Sequence, residues 1–167
     1  MGLDKEQLDK VLGKVLLLVF IVCLMIISML YLNNRWSEIR DIRRQADTKA
    51  ILKALELYNN QNNHYPESLA DDGDGWEKSN DFEDKNFLSE LIKADLLAIS
   101  PFDPKNDIQY YYRYQRFPSG SFGCQKPFAV FQVMEHETKG YDVGRGKCEE
   151  MDFTQLAPNG YTWLEFE

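Results

Sequence analysis

Residues 15–32 (VLLLVFIVCLMIISMLYL) form an unbroken apolar block without a single charge. At 1.5 Å per residue, a helix of that length covers about 27 Å, enough to cross the hydrocarbon core of a bilayer. A cleavable signal peptide would have a shorter apolar region and a small-residue exit, whereas the block leaves through Met29-Leu30-Tyr31-Leu32-Asn33-Asn34. The pattern predicts an uncleaved, single-pass anchor over 15–32, preceded by a short tail over 1–14. The alternative is a buried core helix, but such helices rarely run this long without a polar face.

Beyond the block the pattern changes. Trp36, Ile39, Ile42, Ala46, Ala50, Ile51, Ala54, Leu55 and Tyr58 recur at spacings near three and four, and charged residues from Glu38 to Lys49 fill the positions between. No Gly or Pro falls between Lys14 and Tyr65, so nothing breaks a helix that leaves the membrane. An amphipathic continuation over 33–62 follows, about 50 helical residues and about 75 Å in all, with its apolar stripe packed on a head domain over 63–167. The segment 59–63 ends it, and His64-Tyr65-Pro66 is extended because proline disfavours the helical region for its predecessor.

Within the head, a polar Asp- and Gly-rich loop spans 69–85, and Leu88, Leu91 and Ile92 give 87–97 a helical spacing. Residues 109–115 alternate as a strand, with Tyr110, Tyr112 and Tyr114 on one face and Tyr111 and Arg113 on the other. Two more strands are expected at 128–134 and 161–166. The fold class is α+β: one long N-terminal helix on a small antiparallel sheet.

Composition adds a correction. The chain has 167 residues, 44% hydrophobic, a formal charge of −8 and a mean hydropathy of −0.47, which taken as averages describe an acidic soluble domain. From residue 61 onward there are 20 acidic against 10 basic side chains. A surface of that sign repels phosphate backbones and argues against general nucleic-acid binding. Basic residues flank the span on both sides, Lys5, Lys10 and Lys14 before it and Arg35, Arg40, Arg43 and Arg44 after it, so charge alone does not orient it. Cys23 lies in the span, leaving Cys124 and Cys148 as a pair in the remainder. In an exported domain such a pair suggests a disulfide, worth about 3 kcal/mol by the chain-entropy model; two unpaired buried thiols in a cytosolic domain are the alternative. The expected topology has the tail inside and the head extracytoplasmic, tethered to the cell membrane.

Three stretches carry a resemblance. Residues 44–51 (RQADTKAI) followed by Ala54-Leu55-Glu56-Leu57-Tyr58 and His64-Tyr65-Pro66 resemble the helix end and Tyr-Pro exit of the major pseudopilins of type II secretion systems and related type IV pilins. Pro101-Phe102-Asp103-Pro104 and then Tyr110-Tyr111-Tyr112 look like the entry to the first strand in the same group. The match covers 35–114, about half the chain, and its ordered combination is more specific than any one piece. It implies a pilin-like structural subunit of a secretion or pilus filament, self-associating or joining similar subunits through the N-terminal helix and partnered by an assembly machinery. The family's apolar helix normally opens with Gly and then Phe-Thr-Leu-Ile-Glu, the prepilin peptidase site. Here Gly13 is followed by Lys14-Val15-Leu16-Leu17-Leu18, with Leu18 where the Glu is expected. That departure points to an unprocessed pilin-like protein and keeps open a second reading, a membrane-tethered extracytoplasmic binding module that does not polymerise.

Catalytic patterns are missing from the sequence. His64 and His136 sit in no H-E-x-x-H, no C-x-x-C occurs, residues 119–123 (SGSFG) fail the G-x-S-x-G spacing, and Cys148 stands where a phosphate loop needs Ser or Thr. The sequence reads as a non-enzyme. Its candidate metal ligands are Asp71, Asp72 and Asp74, because carboxylates alternating with glycine can converge on calcium; Trp76 breaks the EF-hand order, and a solvated acidic turn is the alternative. Tyr111 and Arg113, on the strand face opposite the other tyrosines, are the candidate binding surface.

Overall fold

The structure is a computed structural model and describes residues 5–69, 75–81 and 87–167. Its contacts divide the chain into two units, Met1–Ile39 and Arg40–Glu167. Helix α1 (Lys5–Asn62) supplies the first unit and opens the second. In the first unit every residue from 12 to 36 is exposed.

The second unit holds α1 from Arg40, a one-turn helix α2 (Ser89–Lys93) and a five-stranded sheet. Asn63 takes a left-handed conformation, φ 59°, and its N–H donates to Asn59 O at 2.8 Å, which closes α1. The strands are β1 (Glu77–Lys78), β2 (Tyr112–Phe117), β3 (Phe128–Val133), β4 (Gly144–Arg145) and β5 (Tyr161–Phe166), in the order β1-β2-β3-β5-β4. Pairing is antiparallel except between β4 and β5, which run parallel with Gly144 opposite Thr162. The sheet is therefore mixed, not wholly antiparallel as the sequence suggested. A Cβ on Gly144 would stand 1.9 Å from Thr162 O at a backbone φ of +73°, so only glycine lets this short strand close on β5.

β3 is buried along its whole length because both faces of the sheet are covered. On one face Tyr112, Tyr114, Ala129, Phe131 and Val133 pack against Ile51, Ala54 and Leu55 of α1, with Tyr65, Leu88 and Leu91. On the other, Phe117, Phe128 and Val130 pack against Phe153 and the Cys124–Cys148 disulfide. Gln132 lies on that second face, fully buried, and its amide is satisfied by Phe153 O at 2.7 Å and Thr162 Oγ1 at 2.8 Å.

Three expectations change in detail. The tyrosine strand runs 112–117, not 109–115, and Tyr110 leaves it for a turn in which Asp107 Oδ1 accepts the N–H groups of Gln109 and Tyr110. The 87–97 helix shrinks to α2, with Leu88 in a left-handed conformation before it and Asp95 in one after it. The stripe is the larger correction: Trp36, Ile39, Ile42, Ala46 and Ala50 are exposed. The side of α1 turned into the head is Asp41, Arg44, Thr48, Ile51 and Leu55, equally helical in spacing but charged over its first turns.

Candidate functional site: an exposed apolar helix and a buried ionic clamp

In the first unit the site is a surface. Among the described residues one helix is long and apolar enough to cross a membrane, and its apolar window is wholly unburied. Leu16, Leu17, Leu18, Val19 and Phe20, successive positions that go once around the helix, are each more than half exposed. So large an apolar surface is unstable in water and calls for lipid or other helices as its solvent. Just past it, Arg35 donates to Tyr31 Oη, four residues earlier on the same helix, and to Glu38, three residues later, each at 3.2 Å. Cys23 is exposed and free.

In the second unit the charged side of α1 closes a clamp. Arg44 has no exposed surface. Its Nε and Nη2 donate to the two carboxylate oxygens of Asp103 at 2.6 and 2.9 Å, and Nη1 donates to Asp41 at 2.6 Å and to Glu137 at 3.1 Å. Arg40 forks onto Glu137 with two bonds of 2.6 Å, and Lys105 Nζ stands 3.1 Å from the same carboxylate. Asp41 in turn accepts the N–H groups of Glu137 and Thr138 and the Thr138 hydroxyl. Tyr110 covers the group, its ring 4.9 Å from the Arg44 guanidinium and 3.8 Å from Lys105 Nζ. Three cations thus meet three carboxylates, and the geometry includes two forked pairs, which is what makes burial of such charges tolerable.

The titration of these groups follows from the contacts. Burial works to raise the Glu137 carboxyl, but hydrogen bonds from Arg40, Lys105 and Arg44 outweigh it and hold it down at about 2. Asp41 is likewise lowered, burial being overcome by Thr138, the Glu137 N–H and Arg44. Arg44 is raised, because Asp103 and its other partners outweigh the desolvation of the guanidinium. His136 is the exception: burial pushes the imidazole down, against the pull of Asp41. Its Nδ1 stands 3.4 Å from Asp41 Oδ1 without an aligned hydrogen bond, and its ring stacks on Tyr141 at 4.3 Å.

Chemically the clamp fixes geometry and offers no reactive group. Its carboxylate oxygens are already occupied by guanidinium, ammonium and amide donors, and among the described residues no group of His, Cys, Asp or Glu is arranged to hold a metal ion. Asp71, Asp72 and Asp74 lie outside the described residues. Arg113 lies under Trp76, guanidinium to ring 4.1 Å, and its Nε donates to Gln132 at 2.7 Å. Tyr111 is partly exposed just before β2, and its carbonyl accepts the Met134 N–H. Cys124 and Cys148 are bonded, as expected.

Sequence reasoning assigned Asp41 and Arg44 to a solvated helix face. The run 41, 44, 48, 51, 55 was the available signal, but the partners Asp103 and Glu137 lie far along the chain and only the tertiary structure brings them in. Comparison with family models, curated proteins and solved structures gave no match to this chain.

Proposed function

We propose that the chain is a membrane-anchored, pilin-like structural subunit without catalytic activity, closest in kind to the pseudopilins of type II secretion, with its head outside the cytoplasm. One observation carries the reading: residues 15–32 are uncharged, helical and exposed on all sides, a surface that needs lipid before assembly and neighbouring helices after it. The motifs behind the resemblance also touch one another. Arg44 bonds Asp103, Tyr112 Oη donates to Asp47, and Tyr114 Oη donates to Pro66 O at 2.7 Å. The disulfide supports an oxidising compartment for the head.

The second reading, a tethered module that does not polymerise, is favoured by Lys14 and Leu18, which replace the processing sequence after Gly13. The test is N-terminal analysis of the membrane-extracted protein, with crosslinking from cysteines placed through 15–32. A ladder of oligomers supports assembly. An intact Met1 with no ladder removes the filament reading and leaves the tether.

A further inference from the structure

Beside the clamp the head carries a cleft of about 350 Å³, lined by Gln45 and Leu52 of α1 and by His136, Tyr141 and Tyr161. That is the small end of the range for ligand pockets, room for one ring-sized group. The lining is set before anything binds. The His136 N–H donates to Asn159 O at 2.7 Å, the next two N–H groups are held by Asp41, and the imidazole stacks on Tyr141 at 4.3 Å. A preformed cleft costs a ligand little ordering.

His136 itself points to an occupant. Its side chain is 3% exposed, and Nδ1 is sealed 3.4 Å from Asp41 without an aligned hydrogen bond. The carboxylate favours the imidazole proton on Nδ1, which leaves Nε2 as an acceptor. No donor among the described residues reaches it, and of the two ring nitrogens only Nδ1 is sealed, so Nε2 is the one open to the cleft. The Gln45 amide and the Tyr141 and Tyr161 hydroxyls likewise make no hydrogen bond to another described residue.

The charges on the lining cancel. Lys49 pairs with no carboxylate among the described residues, Asp142 keeps one oxygen after accepting the Gly144 N–H at 2.9 Å, and burial holds His136 neutral at neutral pH. A lone cation therefore meets Lys49 and a lone anion meets Asp142, while an apolar molecule leaves the amide and the imidazole unbonded. What fits is an uncharged ring with carbon on its face and hydroxyl groups on its rim.

We propose that this cleft binds one uncharged pyranose, its C–H face on the tyrosine rings and its hydroxyls bonded to Gln45, His136 Nε2, Lys49 and Asp142. The site stands apart from the proposed assembly, since a tether and a filament subunit could each carry it. The test is saturation-transfer NMR on the full-length chain in phosphatidylcholine nanodiscs, which avoid competition from glycosidic detergents. The probes are methyl β-glucopyranoside, methyl β-galactopyranoside and methyl N-acetyl-β-glucosaminide. At least one is expected to bind. Gln45→Leu, on an exposed helix position that leaves the melt unchanged, and His136→Phe, which keeps a ring on Tyr141, should each weaken it about tenfold, the loss of one hydrogen bond. A trisaccharide of the bound sugar separates the sources: tighter binding assigns a glycan end, equal or weaker binding a free monosaccharide. Binding of none of the three probes, binding indifferent to both variants, or tighter binding of the zwitterion glycyl-tyrosine or of phenol overturns the proposal.

Discussion

Arg44 and Asp103, 59 residues apart, meet as a forked pair with both side chains fully buried. The pair ties the loop before β2 to α1, while Asp41 and Glu137 tie the segment after β3 to the same turns. Removing one member leaves its partners charged and dry. Arg44→Ala is expected to lower the stability of the head by about 3–5 kcal/mol, and Asp103→Asn by a similar amount, measured by denaturant unfolding of the detergent-solubilised chain. A loss below 1 kcal/mol would mean the charges are not desolvated.

Acid should loosen the head in two stages. His136 is held below its ordinary value of 6.5 by burial between Asp41, Arg44 and Tyr141, so the unfolded chain takes up the proton first. Stability is then full above about pH 7 and falls as the pH drops through 6.5. Glu137, at about 2 when folded against 4.5 ordinarily, contributes up to about 3 kcal/mol above pH 4.5 that is lost between about pH 4.5 and 2. Thermal melts from pH 8 to 3 check both, and His136→Gln should flatten the first slope alone.

The Cys124–Cys148 bond closes a sequence separation of 24 residues around β3 and β4. Reduction, or Cys124→Ser with Cys148→Ser, is expected to cost about 3 kcal/mol and to lower the melting temperature. An unchanged melt under reducing conditions would argue that the bond does not form in the mature protein.

Gly144→Ala places a Cβ against Thr162 O in a left-handed backbone. The variant should lose β4 pairing and at least about 1–2 kcal/mol, read as faster amide exchange at Thr162, whose N–H donates to Val143 O. Gly120, also left-handed but with open space around it, is the control and should lose less.

A charge in the apolar helix tests the anchor. Leu24→Lys is expected to cost about 2.5–3.5 kcal/mol of insertion and to shift the protein into the alkaline-carbonate supernatant. Retention in the pellet with Leu24→Lys and Ile21→Lys combined would count against a bilayer span.

The apolar helix was legible because the length and composition that a bilayer span requires are written in near neighbours: eighteen uncharged residues in a row. β3 and β5 were legible for a similar reason, since a short apolar run and the turn residues beside it are local. The tyrosine strand was placed three residues early at its start because Tyr110 continues the alternation; the Asp107 turn and the cations at Arg44 and Lys105 remove it from the sheet. Arg113 was read as an outward residue because an antiparallel sheet commonly leaves one face wet, and the disulfide segment covers that face here.

By itself, then, the sequence determined the helix, its apolar span, the α+β class and the cysteine pair, each written in near neighbours or in composition. Which side of α1 faces the head was decided only in three dimensions. Ile42 and Ala46 lose to Asp41 and Arg44 because Asp103 and Glu137 arrive from distant loops as carboxylate partners for Arg44, and Arg44 with the N–H groups of Glu137 and Thr138 satisfies Asp41; a buried charge is stable only where its partner is already in place.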